Sequence, residues 1–186
     1  MKIYETKDIR NVGIVGHGHC GKTSVVSGLL FAAGATSRLT RTDEGNIVTD
    51  YDEEEIQRKL TISTALAAIE WKKTKINILD TPGFNMFVND ARATLLAADA
   101  AIVVMDAISG VEPHIEKMWG IAEEFELPRA IVINKLDGDR ETYAANLLEG
   151  AVQLPLARAG LFSTRNGRRP QARASASCAN AVTLEA

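Results

Sequence analysis

The sequence predicts an α/β protein with a mostly parallel sheet that helices cover on both faces. Short apolar runs alternate along residues 9–134 with segments whose apolar residues recur at helical spacing. The chain has 186 residues, 46% of them apolar and 24% charged, which suits one ordinary globular domain with a sizeable core. We find no internal repeat.

The predicted elements follow in chain order. Strands are expected at residues 10–16, 62–71, 75–80, 100–106 and 129–134, and helices at 23–33, around 87–95, and from Pro113 onward. Gly34 is a natural helix stop and proline suits a first helical turn. The second and third strands suggest a hairpin-like pair. Residues 35–60 are expected to form a long loop whose acidic run, residues 50–55, lies on a solvated face.

Composition excludes several classes of protein. Collagen, disulfide scaffolds and wholly disordered chains have other compositions. No stretch reaches the 18 or so apolar residues of a membrane span, and the N-terminus lacks the apolar run of a secretory signal. Two cysteines, Cys20 and Cys178, are too few for a disulfide framework. We therefore expect a cytoplasmic protein without a membrane partner.

Charge divides the chain into two parts. Residues 1–150 carry 16 basic and 23 acidic side chains, whereas residues 151–186 carry five arginines, no lysine and one acid. From about Leu156 the sequence is rich in Arg, Ala and Ser and shows no clear helical or strand period. We expect a domain over residues 1–149 and a tail over 150–186 that is disordered or translated out of frame. Alternatively, the arginines could form a basic tail that binds RNA.

The strongest motif lies between the first strand and the first helix. It matches the pattern G-x-x-x-x-G-K-[ST], a loop whose backbone N–H groups wrap a phosphate at a helix N-terminus. The predicted nucleotide-binding residues of this loop are Gly16, His17, Gly18, His19, Cys20, Gly21, Lys22 and Thr23. Lysine would reach the β- and γ-phosphates, and the threonine hydroxyl would ligate Mg²⁺. A glycine-rich turn that binds nothing is the alternative.

Two further motifs follow later strands. Asp80, Thr81, Pro82 and Gly83 end the third strand, where the carboxylate can hold Mg²⁺ and the glycine N–H can approach a γ-phosphate. Asn134, Lys135 and Asp137 end the fifth strand, where a carboxylate can accept two hydrogen bonds from guanine that adenine does not offer. Ligands of parallel sheets bind at the carboxyl ends of strands, so the three motifs predict one guanine-nucleotide site. A P-loop enzyme for another base is the alternative.

These residues carry a resemblance to a known family. The stretch from about Ile9 to Asp137 resembles the G domain of a translational GTPase, and most closely that of elongation factor G. Arg58-Lys59-Leu60-Thr61-Ile62 resembles the family's switch segment, and the stretch from Asp106 to Pro113, followed by Glu116 and Trp119, is typical of the elongation factor G branch. The resemblance implies a P-loop NTPase-like G domain, here lacking its last strand.

The resemblance also implies an activity and partners. It implies GTP and Mg²⁺ binding, GTP hydrolysis stimulated by the ribosome, and a role in translation elongation. Thr61 would contact Mg²⁺ in the GTP state, beside Thr23 and Asp80. The expected catalytic residues are Lys22, Thr61, Gly83 and Phe84. We expect a monomer that does not bind DNA directly.

The sequence departs from the family at the position of its water-positioning histidine, which here is Phe84. Phenylalanine has no donor or acceptor, so we expect slow or ribosome-dependent hydrolysis. His19 replaces an aspartate common in the family, and Lys59 replaces a glycine. Two alternatives stay open: a GTP-binding switch with little hydrolysis, and an inactive truncated fragment.

Overall fold

The fold is described from a computed structural model that places residues 2–39, 49, 53–58, 61–136, 159–165 and 181–185. The strands are β1 (Ile9–Gly16), β2 (Ala65–Trp71), β3 (Thr74–Asp80), β4 (Ala100–Asp106), β5 (Arg129–Asn134), β6 (Ala159–Arg165) and β7 (Ala181–Glu185). The α-helices are α1 (Lys22–Ala32), α2 (Glu53–Arg58), α3 (Val88–Leu96) and α4 (Pro113–Glu124). Short 3-10 turns span Thr6–Asp8 and Asn85–Phe87.

The described strands form one sheet in the order β2-β3-β1-β4-β5-β6-β7. All neighbours are parallel except β2, which pairs with β3 in antiparallel register from Ala65 opposite Asp80 to Trp71 opposite Thr74. The predicted hairpin-like pair is therefore present. Because β1 lies between β3 and β4, the ends of β1 and β3 meet at the same edge of the sheet.

The core has two layers, one on each face of the sheet. Ile14 and Val104 pack with α1, whereas their neighbours Val15 and Val103 pack with α3 and α4. Each central strand is therefore buried on both faces, which is why these strands are continuous apolar runs. The predicted strands at 100–106 and 129–134 have the bounds that the structure shows.

Helix ends follow the signals in the sequence. Gly34 has a φ of 72°, and Ala35 N donates to Leu30 O at 2.9 Å, which closes a Schellman turn after α1. Pro113 occupies the first position of α4. Within the described ranges, no helix combines the length and apolar character that crossing a bilayer requires.

The structure corrects the prediction at the C-terminal end. The sheet was expected to lack its last strand, and no strand was expected after residue 156. Instead β6 pairs in parallel with β5, and β7 pairs in parallel with β6. Pairing needs the backbone N–H and C=O groups at an open sheet edge and does not need an apolar period, so composition did not reveal it. The boundary at residue 149 and the origin of the tail stay predictions.

Candidate nucleotide-binding site

The loop between β1 and α1 takes a conformation that its glycines permit. Gly16 has a φ of 151° and Gly21 a φ of 91°. A Cβ at Gly16 would overlap the carbonyl oxygen of Val104. A Cβ at Gly21 would overlap the side-chain nitrogen Nδ2 of Asn134. Both positions therefore need glycine for the backbone angle and for space. His19, with a φ of 63°, is the non-glycine residue of the loop in the left-handed region.

Lys22 lies across the loop that precedes it. Its side chain is buried, and Nζ donates to the carbonyl oxygens of Gly16 at 3.1 Å and of His17 at 2.9 Å. A Cβ at Gly83 would overlap this Nζ, so the turn after β3 closes directly over the ammonium. Since an ammonium has three donors, these two described bonds leave one donor for an anion held by the loop.

Three oxygen-bearing side chains meet beside Lys22. Thr23 Oγ1 donates to Asp80 Oδ2 at 2.8 Å and lies 3.4 Å from Thr61 Oγ1. Asp80 is fully buried, and Thr23 is nearly so. The residues predicted to hold Mg²⁺ are thus brought together, although they are distant in sequence. Within the described chain, no three His, Cys, Asp or Glu side chains cluster as a metal site.

The residues of the Asp80–Gly83 turn face in two directions, towards β1 and towards the phosphate loop. Thr81 is fully buried, and both its N–H and its hydroxyl donate to Ile14 O, at 3.2 and 2.7 Å. The hydrogen bonds of this threonine therefore join the turn to β1, and its side chain does not face the loop. Pro82 is also buried, whereas Gly83 faces the loop: a Cβ there would lie 2.7 Å from Gly18 N.

Phe84 packs against the phosphate loop. A Cβ at Gly18 would lie 2.9 Å from the Phe84 ring, so the ring rests against the glycine backbone. The His19 ring meets it edge-on, with centroids 5.5 Å apart and planes at 83°. The structure thus places Phe84 over the loop as an apolar side chain, next to the backbone that would wrap the phosphates.

The motif after β5 reaches the loop through a hydrogen bond from Asn134. Asn134 Nδ2 donates to Cys20 O at 3.0 Å. Lys135, with a φ of 60°, places Nζ 2.7 Å from Asp106 Oδ2. Burial acts to raise the pKa of Asp106, but hydrogen bonds from Lys135 and the Ile108 amide outweigh it and lower that pKa. Asp137 lies outside the described residues.

Comparison with known proteins decides the family. A family model described as the elongation factor Tu GTP binding domain matches residues 7–183. The chain belongs to this family. The predicted resemblance and the predicted mostly parallel α/β fold class are both confirmed.

The GTP-binding domain has relatives among translation factors. It is 39% identical over 140 residues to the mitochondrial ribosome-releasing factor 2 of Debaryomyces hansenii, a match that covers 75% of this chain and 16% of the relative. It is 39% identical over 137 residues to elongation factor G of Granulibacter bethesdensis, and this match covers 74% of this chain and 20% of the relative. The chain thus spans between about a sixth and a fifth of the length of these curated relatives.

Solved structures agree with this assignment. A crystal structure of a protein from Thermus thermophilus is 34% identical with a TM-score of 0.73, covering 91% of this domain and 24% of that chain. A bacterial selenocysteine-specific elongation factor is 25% identical with a TM-score of 0.63, covering 77% of this domain and 23% of that chain.

Two histidines of the GTP-binding domain lie close together at the start of the loop, with ring centroids 6.3 Å apart. His17 Nδ1 lies 2.7 Å from Oε2 of Glu112, the residue before α4. His114 is 3% exposed, and its Nδ1 lies 3.0 Å from Asn85 Oδ1. Burial, and then the positive charge of Lys22, lower the pKa of His114 to about 4.

The burial of three further residues of the GTP-binding domain depends on the fold. Cys20 is buried, and that burial raises the pKa of its thiol. Trp71 is 51% exposed at the end of the outermost strand β2. Glu55 was placed on a solvated face, yet it is 2% exposed. Periodicity did not separate these residues from their neighbours, because their burial depends on contacts with distant elements.

Sequence reasoning also missed two acidic partners of the site. Asp106 forms an ion pair with Lys135, and Glu112 Oε2 lies 2.7 Å from His17 Nδ1. Both lie within the stretch that carries the resemblance to elongation factor G, and this was the available signal.

Proposed function

We propose that this chain is the GTP-binding and GTP-hydrolysing domain of an elongation factor G-like protein that acts in translation elongation on the ribosome. The observation that carries the proposal is that three motifs meet at one sheet edge. The loop 16–23 follows β1, the turn 80–83 follows β3, and Asn134 ends β5, and the loop contacts both of the others. A nucleotide bound there would contact all three.

The phosphates would be held by the loop. The amides of residues 16–23 and the N-terminus of α1 supply partial positive charge, and Lys22 supplies a full one. Lys22 is already held at the loop by Gly16 O and His17 O, so little side-chain entropy would be lost when it binds an anion. His17 to Cys20 complete the predicted phosphate contacts.

The hydroxyls of Thr23 and Thr61 and the carboxylate of Asp80 would hold Mg²⁺. These are oxygen donors, as Mg²⁺ prefers, and Thr23 already lies within hydrogen-bonding distance of the other two. When bound, the ion would neutralise negative charge on the β- and γ-phosphates. Asp80 and Thr81 would keep the turn in register with β1, so that Pro82 and Gly83 follow at a fixed position.

The base would be recognised after β5. Asp137 would accept hydrogen bonds from the guanine edge, and the stem of Lys135 would lie along the base while Asp106 holds its ammonium. Asn134 would tie this segment to the phosphate loop through Cys20 O. Adenine would leave the carboxylate without donors, so it would be rejected.

Hydrolysis would proceed by in-line attack of water on the γ-phosphate. Lys22, the loop amides and the amide of Gly83 would stabilise the developing charge. Phe84 supplies no hydrogen bond to water, so we expect slow hydrolysis in the chain alone and faster hydrolysis on the ribosome. The named relatives are ribosome-releasing and elongation factors, which supports the ribosome as partner. A monomer in the cytoplasm is proposed, with the mitochondrion as the alternative compartment.

Equilibrium binding of GDP and ADP to the 186-residue chain with Mg²⁺ tests the proposal. We expect tight GDP binding and rejection of ADP. Lys22→Ala should weaken GDP binding severely, whereas Lys117→Ala, which removes the same charge from an exposed position on α4, should not. Equal affinity for both nucleotides, or binding of neither, would overturn the proposal.

A further inference from the structure

Glu55 is a buried carboxylate next to two exposed ones. It lies in α2, where Glu53 and Glu54 are exposed while Glu55 is 2% exposed. Burying a carboxylate costs free energy unless hydrogen bonds replace its water. The contacts of Glu55 therefore indicate what holds it in place.

Glu55 accepts hydrogen bonds from the segment just before β2. Its Oε1 accepts from Ile62 N at 2.8 Å, from Ser63 N at 3.1 Å and from Ser63 Oγ at 3.4 Å. Bonds between a carboxylate and backbone amides are charge-assisted and stronger than neutral ones. One side chain thus fixes two consecutive peptide groups of this segment.

The fixed peptides begin directly after Thr61. Thr61 Oγ1 lies 3.4 Å from Thr23 Oγ1, which donates to Asp80 Oδ2. Thr61 directly precedes the two clamped amides, so the position of these amides sets the position of the Thr61 backbone. The backbone position in turn determines which oxygens the Thr61 hydroxyl can reach. The contacts of Glu55 therefore extend, through one residue of backbone, to the side chains proposed to hold Mg²⁺.

We propose that Glu55 is a positioning residue for Thr61: it clamps the backbone at Ile62 and Ser63 so that the Thr61 hydroxyl lies beside Thr23 and Asp80. This inference rests on the proposed function, in which Thr61 contacts Mg²⁺ in the GTP state. Loss of the clamp therefore weakens binding of a GTP-like ligand and leaves binding of GDP nearly unchanged.

The test compares GDP with the non-hydrolysable analogue GMPPNP, with Mg²⁺, on the 186-residue chain. Glu55→Asp keeps the charge but shortens the side chain, and we expect about tenfold weaker GMPPNP binding with GDP affinity changed less than about twofold. Glu55→Gln keeps the length and an acceptor oxygen and should retain most of the affinity. Glu53→Asp is the matched control on the same helix and should bind both ligands as the unmodified chain does.

The outcomes separate this inference from the proposed function. If the unmodified chain binds neither ligand, the proposed function fails, and the inference fails with it. If it binds both, and Glu55→Asp weakens GDP and GMPPNP equally or weakens neither, the inference alone is overturned. A general loss of folding would lower both affinities together, so the ratio of the two affinities is the decisive readout.

Hydrogen exchange in the unmodified chain provides a second measurement that does not depend on a variant folding. The amides of Ile62 and Ser63 should exchange slowly, because Glu55 accepts from both. Exchange as fast as that of the exposed turn at Lys72 and Lys73 would show that the clamp is absent and would overturn the inference.

Discussion

The hydroxyl of Thr23 donates a 2.8 Å hydrogen bond to Oδ2 of Asp80 and thereby joins the first turn of α1 to the end of β3. The two residues are 57 positions apart in the chain, and Asp80 is fully buried. The bond brings the phosphate-binding motif into contact with the motif after β3. It also supplies part of the hydrogen bonding that a buried carboxylate requires.

Thr23→Ala should therefore destabilise the fold as well as the site. Removal of the hydroxyl takes a hydrogen bond from a buried carboxylate, and we expect a loss of about 1–3 kcal/mol in the free energy of unfolding. Urea denaturation without nucleotide measures it. Thr23→Ser retains the hydroxyl and should lose less than about 1 kcal/mol. Equal stability of the Ala and Ser variants would contradict the prediction.

Phe84→His should accelerate GTP hydrolysis. The ring now at this position rests against Gly18 and offers no hydrogen bond, whereas imidazole can orient a water molecule. We expect single-turnover hydrolysis to rise at least about tenfold in the presence of ribosomes, since this chemistry depends on positioning. Phe84→Leu keeps the apolar character and serves as the control. No change with histidine would mean that water is oriented by another group.

Alanine substitution should change the stability of the fold in opposite directions at two glycines, one just before α1 and one inside it. Gly21 has a φ of 91°, and a Cβ there would overlap Asn134, so Gly21→Ala should cost well over about 1–2 kcal/mol and disrupt GDP binding. Gly28 lies inside α1 with open space around it, so Gly28→Ala should stabilise by about 0.5–1 kcal/mol. Thermal unfolding of both variants checks this, and a shift in the same direction would contradict it.

Stability should fall in mild acid because of His114. Its pKa is lowered from 6.5 to about 4 in the folded chain, so the unfolded state binds the proton more readily between these values. The contribution to stability is therefore complete above about pH 6.5 and is lost towards pH 4, by at most about 3 kcal/mol.

His114→Asn provides the comparison for this pH dependence. Its amide can still donate to Asn85 Oδ1 but does not titrate. Urea denaturation at a series of pH values should give a steeper loss of stability for the unmodified chain than for the variant. Parallel pH profiles would show that His114 is not the titrating group.

Much of the fold could be predicted because local features of the sequence, such as apolar runs and a helix-ending glycine, agree with the elements that form. The buried strands β4 and β5 are continuous apolar runs, and their bounds were predicted as the structure has them. Gly34 ends a helix because its backbone adopts a positive φ. By contrast, the short helix α2 lies inside a segment predicted as loop, and its stability depends on contacts such as those of Glu55.

The chemistry proposed for the site comes from the order of residues along the chain. The loop 16–23, the turn 80–83 and the residues from Asn134 onward carry the residue types expected to bind a guanine nucleotide, at spacings that place them after strands. The neighbours of these residues became known only from the folded chain. Phe84 rests on Gly18, His114 is buried near His17 of the loop, and Glu55 clamps the segment before β2. These contacts join residues from different elements, and their burial depends on how the sheet and helices pack, which no local period encodes.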